Sequence, residues 1–415
     1  MIEHISHKRT LIALLATVLY AAGASADDVE AQKFSFSGFG TLGVVHSSER
    51  QADFTSSILK PNGAGYSHAW SAGVDSLIGG QVTANFTPKL SAVLQVISEQ
   101  NYDNSYRPHV EWANIKYQLT PDSSVRVGRI VLPTLLFSDT RKVAYTYPWV
   151  RPPLEVYRQA PVTSSDGVDA SYQMRIGDLT NILQARYGKL DRDLPNNTGN
   201  IKARHAWGLT YTGEYHALTV HISYEPSHIT LDSTRPIFDA FRQFGPQGIA
   251  IADKYNADNR AIYVTTLGAR YDPGQWFVMG EAAQLVTHSF IGKGTGWYLS
   301  GGYRHGKFTP YITYGEARAD NLSDPGLNLS SLPPPLIGPA AGLNAALNSL
   351  LSLKPVQNTL SIGGRWDFAK NAALKLQYDH TRIGAGSSGV LSNLQPGFQP
   401  GGKVNVFSAT MDFVF

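Results

Sequence analysis

From Phe34 to Phe415 the chain is dominated by a period of two. Phe34, Phe36, Leu42 and Val44 share one parity, and Ser35, Ser37 and Thr41 the other. Leu90, Ala92, Leu94 and Val96 alternate with Ser91, Gln95 and Glu99, and Leu218, Val220, Ile222 and Tyr224 with Thr219, His221, Ser223 and Glu225. Such alternation marks strands with one apolar and one polar face. The pattern predicts sixteen strands. A first strand, Phe34–His46, is followed by seven tight-turn hairpins: Gly73–Phe86 with Leu90–Glu99, His109–Leu119 with Val125–Arg129, Gly167–Ile176 with Thr180–Lys189, Ala206–Thr212 with Ala217–Glu225, Asn259–Tyr271 with Gln275–Leu285, Gly296–Arg304 with Phe308–Glu316, and Thr359–Phe368 with Ala372–Thr381. A terminal strand, Lys403–Phe415, completes the set. The Gln275–Leu285 arm is ambiguous, because Phe277 and Met279 share parity with Glu281.

Seven connections are built on tight turns of three or four residues and eight are long, and the two kinds alternate strictly. A propeller or a sandwich gives no reason to keep long loops at one end. A transmembrane antiparallel β-barrel does, with short periplasmic turns, long extracellular loops and an even strand number. Aromatic residues on the apolar parity fall at both strand ends. Tyr117, Tyr172, Tyr211, Tyr271, Tyr303 and Trp366 lie near the tight turns, and Tyr187, Tyr224, Tyr263, Tyr314 and Tyr378 near the long loops. Two such girdles are expected at the two interfaces of a membrane.

The third long connection breaks the pattern. It follows the short strand Val125–Arg129 and runs IVLPTLLFSDTRKVAYTYPWVRPPLEVYRQAPVTSSD. Pro133, Pro148, Pro152, Pro153 and Pro161 rule out a long helix and a central strand. A structureless segment of this length in a compact protein is usually functional, the plain alternative being a surface loop. In the loop at 317–358, Ala340–Leu353 is compatible with a short helix; this loop is either a lid or an apolar segment buried at the mouth or at a subunit contact.

Composition narrows the reading. The chain has 415 residues, no cysteine and a net charge of +3. Disulfides and thiolate chemistry are therefore excluded, and a near-neutral balance points to no nucleic acid. Lys8-Arg9, the apolar run Thr10–Tyr20 and Ala24-Ser25-Ala26 form a signal peptide. Residues 1–26 are expected to be removed, leaving residues 27–415 as one barrel domain. GxSxG, HExxH and GxxxxGK[ST] are absent, and the histidines lack metal-ligand spacing, so no catalytic residue, metal or other cofactor is assigned. Gly38-Phe39-Gly40-Thr41-Leu42-Gly43 matches GxGxxG, but no helix follows and it reads as a strand of small residues.

The ordered set resembles the Gram-negative general porins: a signal, an FSGFG first strand, tight-turn hairpins, VRVGR running into a proline-rich third loop, and the terminal strand NVFSATMDFVF. The likeness covers almost all of residues 27–415. It implies a sixteen-stranded outer-membrane barrel with the third loop folded into the lumen, a homotrimer in outer-membrane lipid, and a terminal strand ending at Phe415 that the barrel-assembly machinery reads. It implies passive diffusion of small hydrophilic solutes and ions. The acidic PEFGG-type core of some members is replaced here by SDTRKVAYTYPWVRPP, which removes the ground for cation selectivity.

A porin selects by size and by the field in its bore. Inward parity supplies Arg175, Arg186, Arg304, Arg365 and Lys375 against Asp169, Glu225, Asp367 and Asp379. The third loop adds Arg141, Lys142, Arg151 and Arg158 against Asp139 and Glu155. Arg126 and Arg129 have opposite parity, so a regular strand aims only one of them inward; a bend into the loop would allow both. The expected constriction is therefore Arg126, Arg129, Asp139, Arg141, Lys142, Arg151, Glu155, Arg158, Arg175 and Arg186, with a weak preference for anions. Alternatively these arginines brace the loop on carboxylates and carbonyls. Tyr145, Tyr147 and Trp149 either stack solutes or pack on the wall. A substrate-specific channel for sugars, carboxylates or aromatic solutes is the alternative function; a barrel enzyme and a structural barrel rank below it.

Overall fold

A computed structural model describes residues 33–415, so the expected signal at 1–26 lies outside the described residues. Sixteen strands form the wall: β1 Phe34–Ser47, β2 Leu77–Asn85, β3 Leu90–Glu99, β4 His109–Thr120, β5 Ser123–Val131, β6 Ser164–Ile176, β7 Leu179–Asp193, β8 Asn200–Tyr215, β9 Leu218–Leu231, β10 Arg260–Tyr271, β11 Trp276–Thr287, β12 Lys293–Tyr303, β13 Phe308–Ala319, β14 Gln357–Ala369, β15 Ala372–Ile383 and β16 Gly402–Val414. Each pairs antiparallel with the next. The sheet closes where β1 pairs with β2 from Phe34↔Ala84 to Thr41↔Leu77 and with β16 from Phe39↔Val414 to Ser47↔Val406. Closure leaves no edge to aggregate and satisfies backbone groups that hydrocarbon could not.

The alternation sorts the two faces as expected. Leu42, Ile115, Leu183, Leu267, Ile312 and Ile362 are exposed on the outer parity, while Thr41, Thr210, Ser223, Thr266, Ser300 and Thr313 are buried on the inner one. Tyr117, Tyr172, Tyr271, Tyr303 and Trp366 are exposed at the tight-turn end, and Tyr187, Tyr224, Tyr263, Tyr314 and Tyr378 at the other. Among the described residues no helix is long and apolar enough to cross a membrane.

The glycines of β1 make room at the seam. A Cβ on Gly38 would overlap the Phe415 ring and one on Gly40 the Phe413 ring. These rings stack 6.4 Å apart on the outer face. GxGxxG here therefore accommodates aromatic rings.

Some boundaries differ from the pattern. β2 starts at Leu77 instead of Gly73. β7, β8 and β9 run past the predicted ends at Lys189, Ala206 and Glu225 to Asp193, Asn200 and Leu231. Register shifts at Gly188/Leu190 and Arg204/Leu209 invert the parity there, while the ladder continues through Leu190↔Ala203. The loop at 226–258 contains helices that the alternation gave no sign of. With α1 Leu154–Tyr157 in the third loop, they are α2 Arg235–Arg242 and α3 Gly245–Tyr255, each with a proline in its first turn, where no N–H donor is needed. The expected helix at 340–353 is longer, α4 Pro334–Ser352. α2, α3 and α4 share an apolar cluster with Phe238, Phe241, Leu347 and Leu351 fully buried.

Gly40→Val should lower the unfolding temperature of the barrel, read from its heat-dependent gel migration. Gly80→Val, whose Cβ meets nothing within 4 Å, should leave it unchanged.

Candidate functional site: the lumen and its inner loop

The ambiguity in β11 resolves inward. Phe277, Met279, Glu281 and Ala283 are all buried, alternating with exposed Val278 and Ala282. With Tyr298 of β12 and Tyr311 of β13 they form an apolar stretch of inner wall. It is covered by Leu135, Phe137, Ala144, Tyr147, Trp149, Val156 and Tyr157 of the third loop, residues 132–163. Phe137 and Tyr298 stand edge-on to the Trp149 indole, with centroids 5.5 and 5.6 Å away. Fully burying one such ring is worth about 1.5–3 kcal/mol, so this cluster is the main seat of the loop. The loop thus lies against the inner face of the barrel.

Hydrogen bonds fix its register on the wall. Trp149 Nε1 donates to Ser300 Oγ at 2.9 Å and Thr313 Oγ1 at 3.0 Å. The Leu136 N–H donates to Glu281 at 2.7 Å, and the Tyr157 and Tyr298 hydroxyls donate to the same carboxylate at 2.7 Å each. Lys375, fully buried, donates to the Ala144 and Trp149 carbonyls at 2.7 and 2.8 Å and pairs with Asp412 at 2.8 Å. Ser223 and Thr266 donate to the Thr134 carbonyl at 2.9 and 2.5 Å. The prolines explain why this segment makes side-chain bonds: with few regular ladder partners, its backbone groups need partners from the wall.

The geometry divides the ten expected constriction residues. Arg151 is 6% exposed and held by Asp75 at 2.5 Å, Asp379 at 3.4 Å and Ser408 at 2.7 Å. Burial alone would lower its pKa; the Asp75 carboxylate outweighs this and holds it above the usual value. Glu155 is buried and accepts bonds from Gln357 at 2.6 Å and Thr359 at 2.5 Å. Arg141 donates to the Ala160 and Tyr157 carbonyls at 2.5 and 2.9 Å, and Arg158 to the Val390 carbonyl. These four brace the loop. Burial pushes the Arg158 guanidinium down to about 10.

The others face the open side. Arg126 pairs with Asp169 at 2.8 Å and is partly exposed. Arg186 pairs with Glu225 on the inner wall and is nearly buried. Arg175 is exposed near the tight turn. Asp139 is exposed on the loop; the surrounding wall raises its pKa against the pull of Arg126 and His221. Lys142 reaches across to Glu99 of β3. Arg129 departs from the expected set. It pairs with Asp166 at 2.8 Å, on the outer parity of Val127 and Val168, while its guanidinium also donates to the Val110 carbonyl at 3.1 Å and borders a cavity shared with Glu99 and Lys142. Trp149, a candidate solute platform, is 1% exposed and serves as an anchor.

Sequence reasoning missed Lys60 in the first long loop. It is buried, donates to the Gly73 and Val74 carbonyls at 3.0 and 2.7 Å, and burial lowers its pKa. Nothing in its local sequence separates it from a solvated loop lysine. Lys60, Glu99 and Lys142 line both a cavity of about 270 Å³ near the long-loop end and one of about 90 Å³ beside Arg141 and Arg151.

Trp149→Ala, which removes about 3–5 kcal/mol of packing, should free the loop and raise single-channel conductance and current noise. Glu155 gives a pH signature. Burial raises its carboxyl, against the bonds from Thr359 and Gln357. A carboxyl raised in the fold stabilises it below the ordinary carboxylate range, and that stability is lost as pH rises through the raised value. Glu155→Gln should therefore flatten the fall in thermal stability as the pH rises above the ordinary carboxylate range.

No protein-family model and no curated protein sequence matches this chain. Solved structures do. The outer membrane channel DcaP of Acinetobacter baumannii aligns with a TM-score of 0.58 and 11% identity, over 95% of this chain and 100% of that one. The anion-selective porin from Comamonas acidovorans aligns at 0.55 and 11%, over 92% and 99%. Salmonella typhi OmpF, in complex with daunomycin, aligns at 0.54 and 12%, over 92% and 97%. The chain has the fold of Gram-negative outer-membrane porins, a closed sixteen-stranded antiparallel barrel.

Proposed function

We propose that this chain is exported by the signal at 1–26, assembles as a homotrimer in the bacterial outer membrane, and lets small hydrophilic solutes and ions diffuse passively. The observation that carries this reading is the one-sided seat of the third loop. It is bonded mainly to β9–β16, which leaves the polar inner face of β2–β8 as the wall of a conduit. That face presents Gln81, Gln95, Asn114, Lys116, Ser124 and Ser171. No catalytic step forms part of the reading. The terminal strand ending at Phe415 is the segment presented to the assembly machinery.

The conduit carries a weak preference for anions. Arg126, Arg186 and Lys142 are each matched by a carboxylate. Arg141 and Arg158 donate only to carbonyl oxygens, and Lys60, bonded to carbonyls too, shares the field of Glu99 with Lys142, which leaves an excess of positive charge in a narrow, poorly screened space. Asp139 is the exposed opposing charge. The passage between Lys60, Glu99 and Lys142 also supports a second reading, a channel specific for small carboxylates.

The test is single-channel recording of mature protein in a planar bilayer under a salt gradient. Open steps should come in threes, with a reversal potential of anionic sign. Arg175→Ala should move it toward cations and Asp139→Asn toward anions. Shifts of the opposite sign would remove the electrostatic reading, and conductance that saturates with one carboxylate would favour the specific channel.

A further inference from the structure

Arg129 takes its carboxylate, Asp166, from the neighbouring strand, and its surroundings on the outer wall are unusual. Arg129 of β5, Asp166 of β6 and Lys189 of β7 stand in register on three adjacent strands. They share the outer parity of Val127, Val168 and Tyr187, which are 58%, 39% and 53% exposed. Arg204 and His205 follow on β8. A charge on the lipid-facing side of a barrel is costly at the bilayer midplane and tolerated near an interface. Tyr187, a member of the girdle at the long-loop end, places this row at an interface.

The row overhangs a groove of about 870 Å³. The sheet is pinched along Gly128, Gly167 and Gly188, which pair across the same three strands. A Cβ at Gly128 would overlap the Ala113 carbonyl, at Gly167 the Tyr187 carbonyl, and at Gly188 would lie 2.6 Å from that of Asp166. Gly128 also has a φ of +128°. Ala113, Val127, Val168 and Tyr187 give the groove an apolar lining. Its rim carries three cations and two carboxylates: Asp166 is taken by Arg129, and Asp191 by Arg204 at 2.7 Å. The Lys189 side chain is exposed and has no carboxylate or hydrogen-bond partner among the described residues, and the His205 ring meets the Tyr187 hydroxyl at 3.3 Å and stands edge-on to His228, with centroids 6.1 Å apart.

We propose that this groove holds one phosphate-bearing lipid, its acyl chain along the glycine-lined cleft and its phosphate on Lys189, Arg204 and His205. The occupant follows from charge and position. The apolar cleft suits a hydrocarbon chain, the uncompensated cation above it suits an anion, and both lie at the level where a lipid carries the two together. Asp166 holds Arg129 within the row, so the phosphate is met from the Lys189 and Arg204 side. The site rests on the barrel standing in a membrane, as proposed above.

Mature protein in detergent, stripped of lipid, would be incubated with phosphatidylglycerol, with diacylglycerol of the same chains, or with inorganic phosphate, and retained molecules counted by native mass spectrometry. Wild type should keep one phosphatidylglycerol per barrel and neither of the others. Lys189→Ala and Arg204→Ala should each weaken retention about fivefold, and Ala113→Leu, which fills the cleft from an exposed position, should reduce it while the cations remain. Equal retention of diacylglycerol, equal binding of inorganic phosphate, or retention unchanged in all three variants would overturn the site. So would a change of oligomer mass in Ala113→Leu with lipid retention intact, which would make the groove a contact between copies. A channel silent in bilayers that still keeps its lipid would sink the transport reading and leave this one standing.

Discussion

An apolar patch cannot stay bare on the inside of a water-filled tube. Phe277, Met279, Tyr298 and Tyr311 put such a patch on the inner face of β11–β13, and the position of the third loop follows from it. The loop brings a complementary apolar face and is drawn onto that wall by the same effect that builds a core in a soluble protein. This barrel thus has two apolar surfaces facing opposite ways: an outer band exposed on the strands, and an inner one covered by its own chain.

Polar groups taken out of water along with the loop have to be satisfied. This accounts for the density of bonds around Glu281, Gln377, Lys375 and Arg151. Each spans the contact between loop and wall; Lys375 and Arg151 have countercharges there and Glu281 has three donors. Arg151 shows why such a residue is a poor guide to ion selection: with Asp75 and Asp379 around it, its field largely cancels and its main contribution is position. The charges that face water are fewer, with Asp139 on the loop and Arg126 and Arg175 on the wall. The division between braces and lining residues follows from which face of the loop each occupies.

Much of this was legible in the sequence because a strand in a barrel has a fixed period of two and each face a fixed environment. Sixteen strands could be placed from alternation and tight turns together, with the Gln275–Leu285 arm ambiguous in its parity, and so could the girdle aromatics apart from the half-buried Tyr211. It failed where the period breaks. The bulge after Gly188 and the shift between Arg204 and Leu209 hid the upper ends of β7 and β8. The stretch at 226–258 shows no alternation, and Pro236 and Pro246 open α2 and α3 within it. The candidate site was less legible. Arginine in a loop looks the same in sequence whether it meets solute or a carbonyl, and only the fold sets Arg141 apart from Arg126. Arg129 was undecided for a local reason, the bend at Gly128, and its partner Asp166 lies across the whole loop from it. The parity conflict at Phe277, Met279 and Glu281 was the one visible sign of the inner wall, since apolar and acidic residues on one face are compatible only if something covers both.

The central claim is that Asp139 of the loop faces water in the conduit while residues 149–157 are sealed against the wall. The chain has no cysteine, so single introduced thiols report cleanly. The measurement is the rate at which a water-soluble, charged thiosulfonate modifies Asp139→Cys and Val156→Cys during bilayer recording. The account predicts fast modification at 139 with a change in current, and slow modification without a change at 156, a position of 0% exposure. Equal rates at the two positions, or a modified 139 that leaves the current untouched, would contradict it.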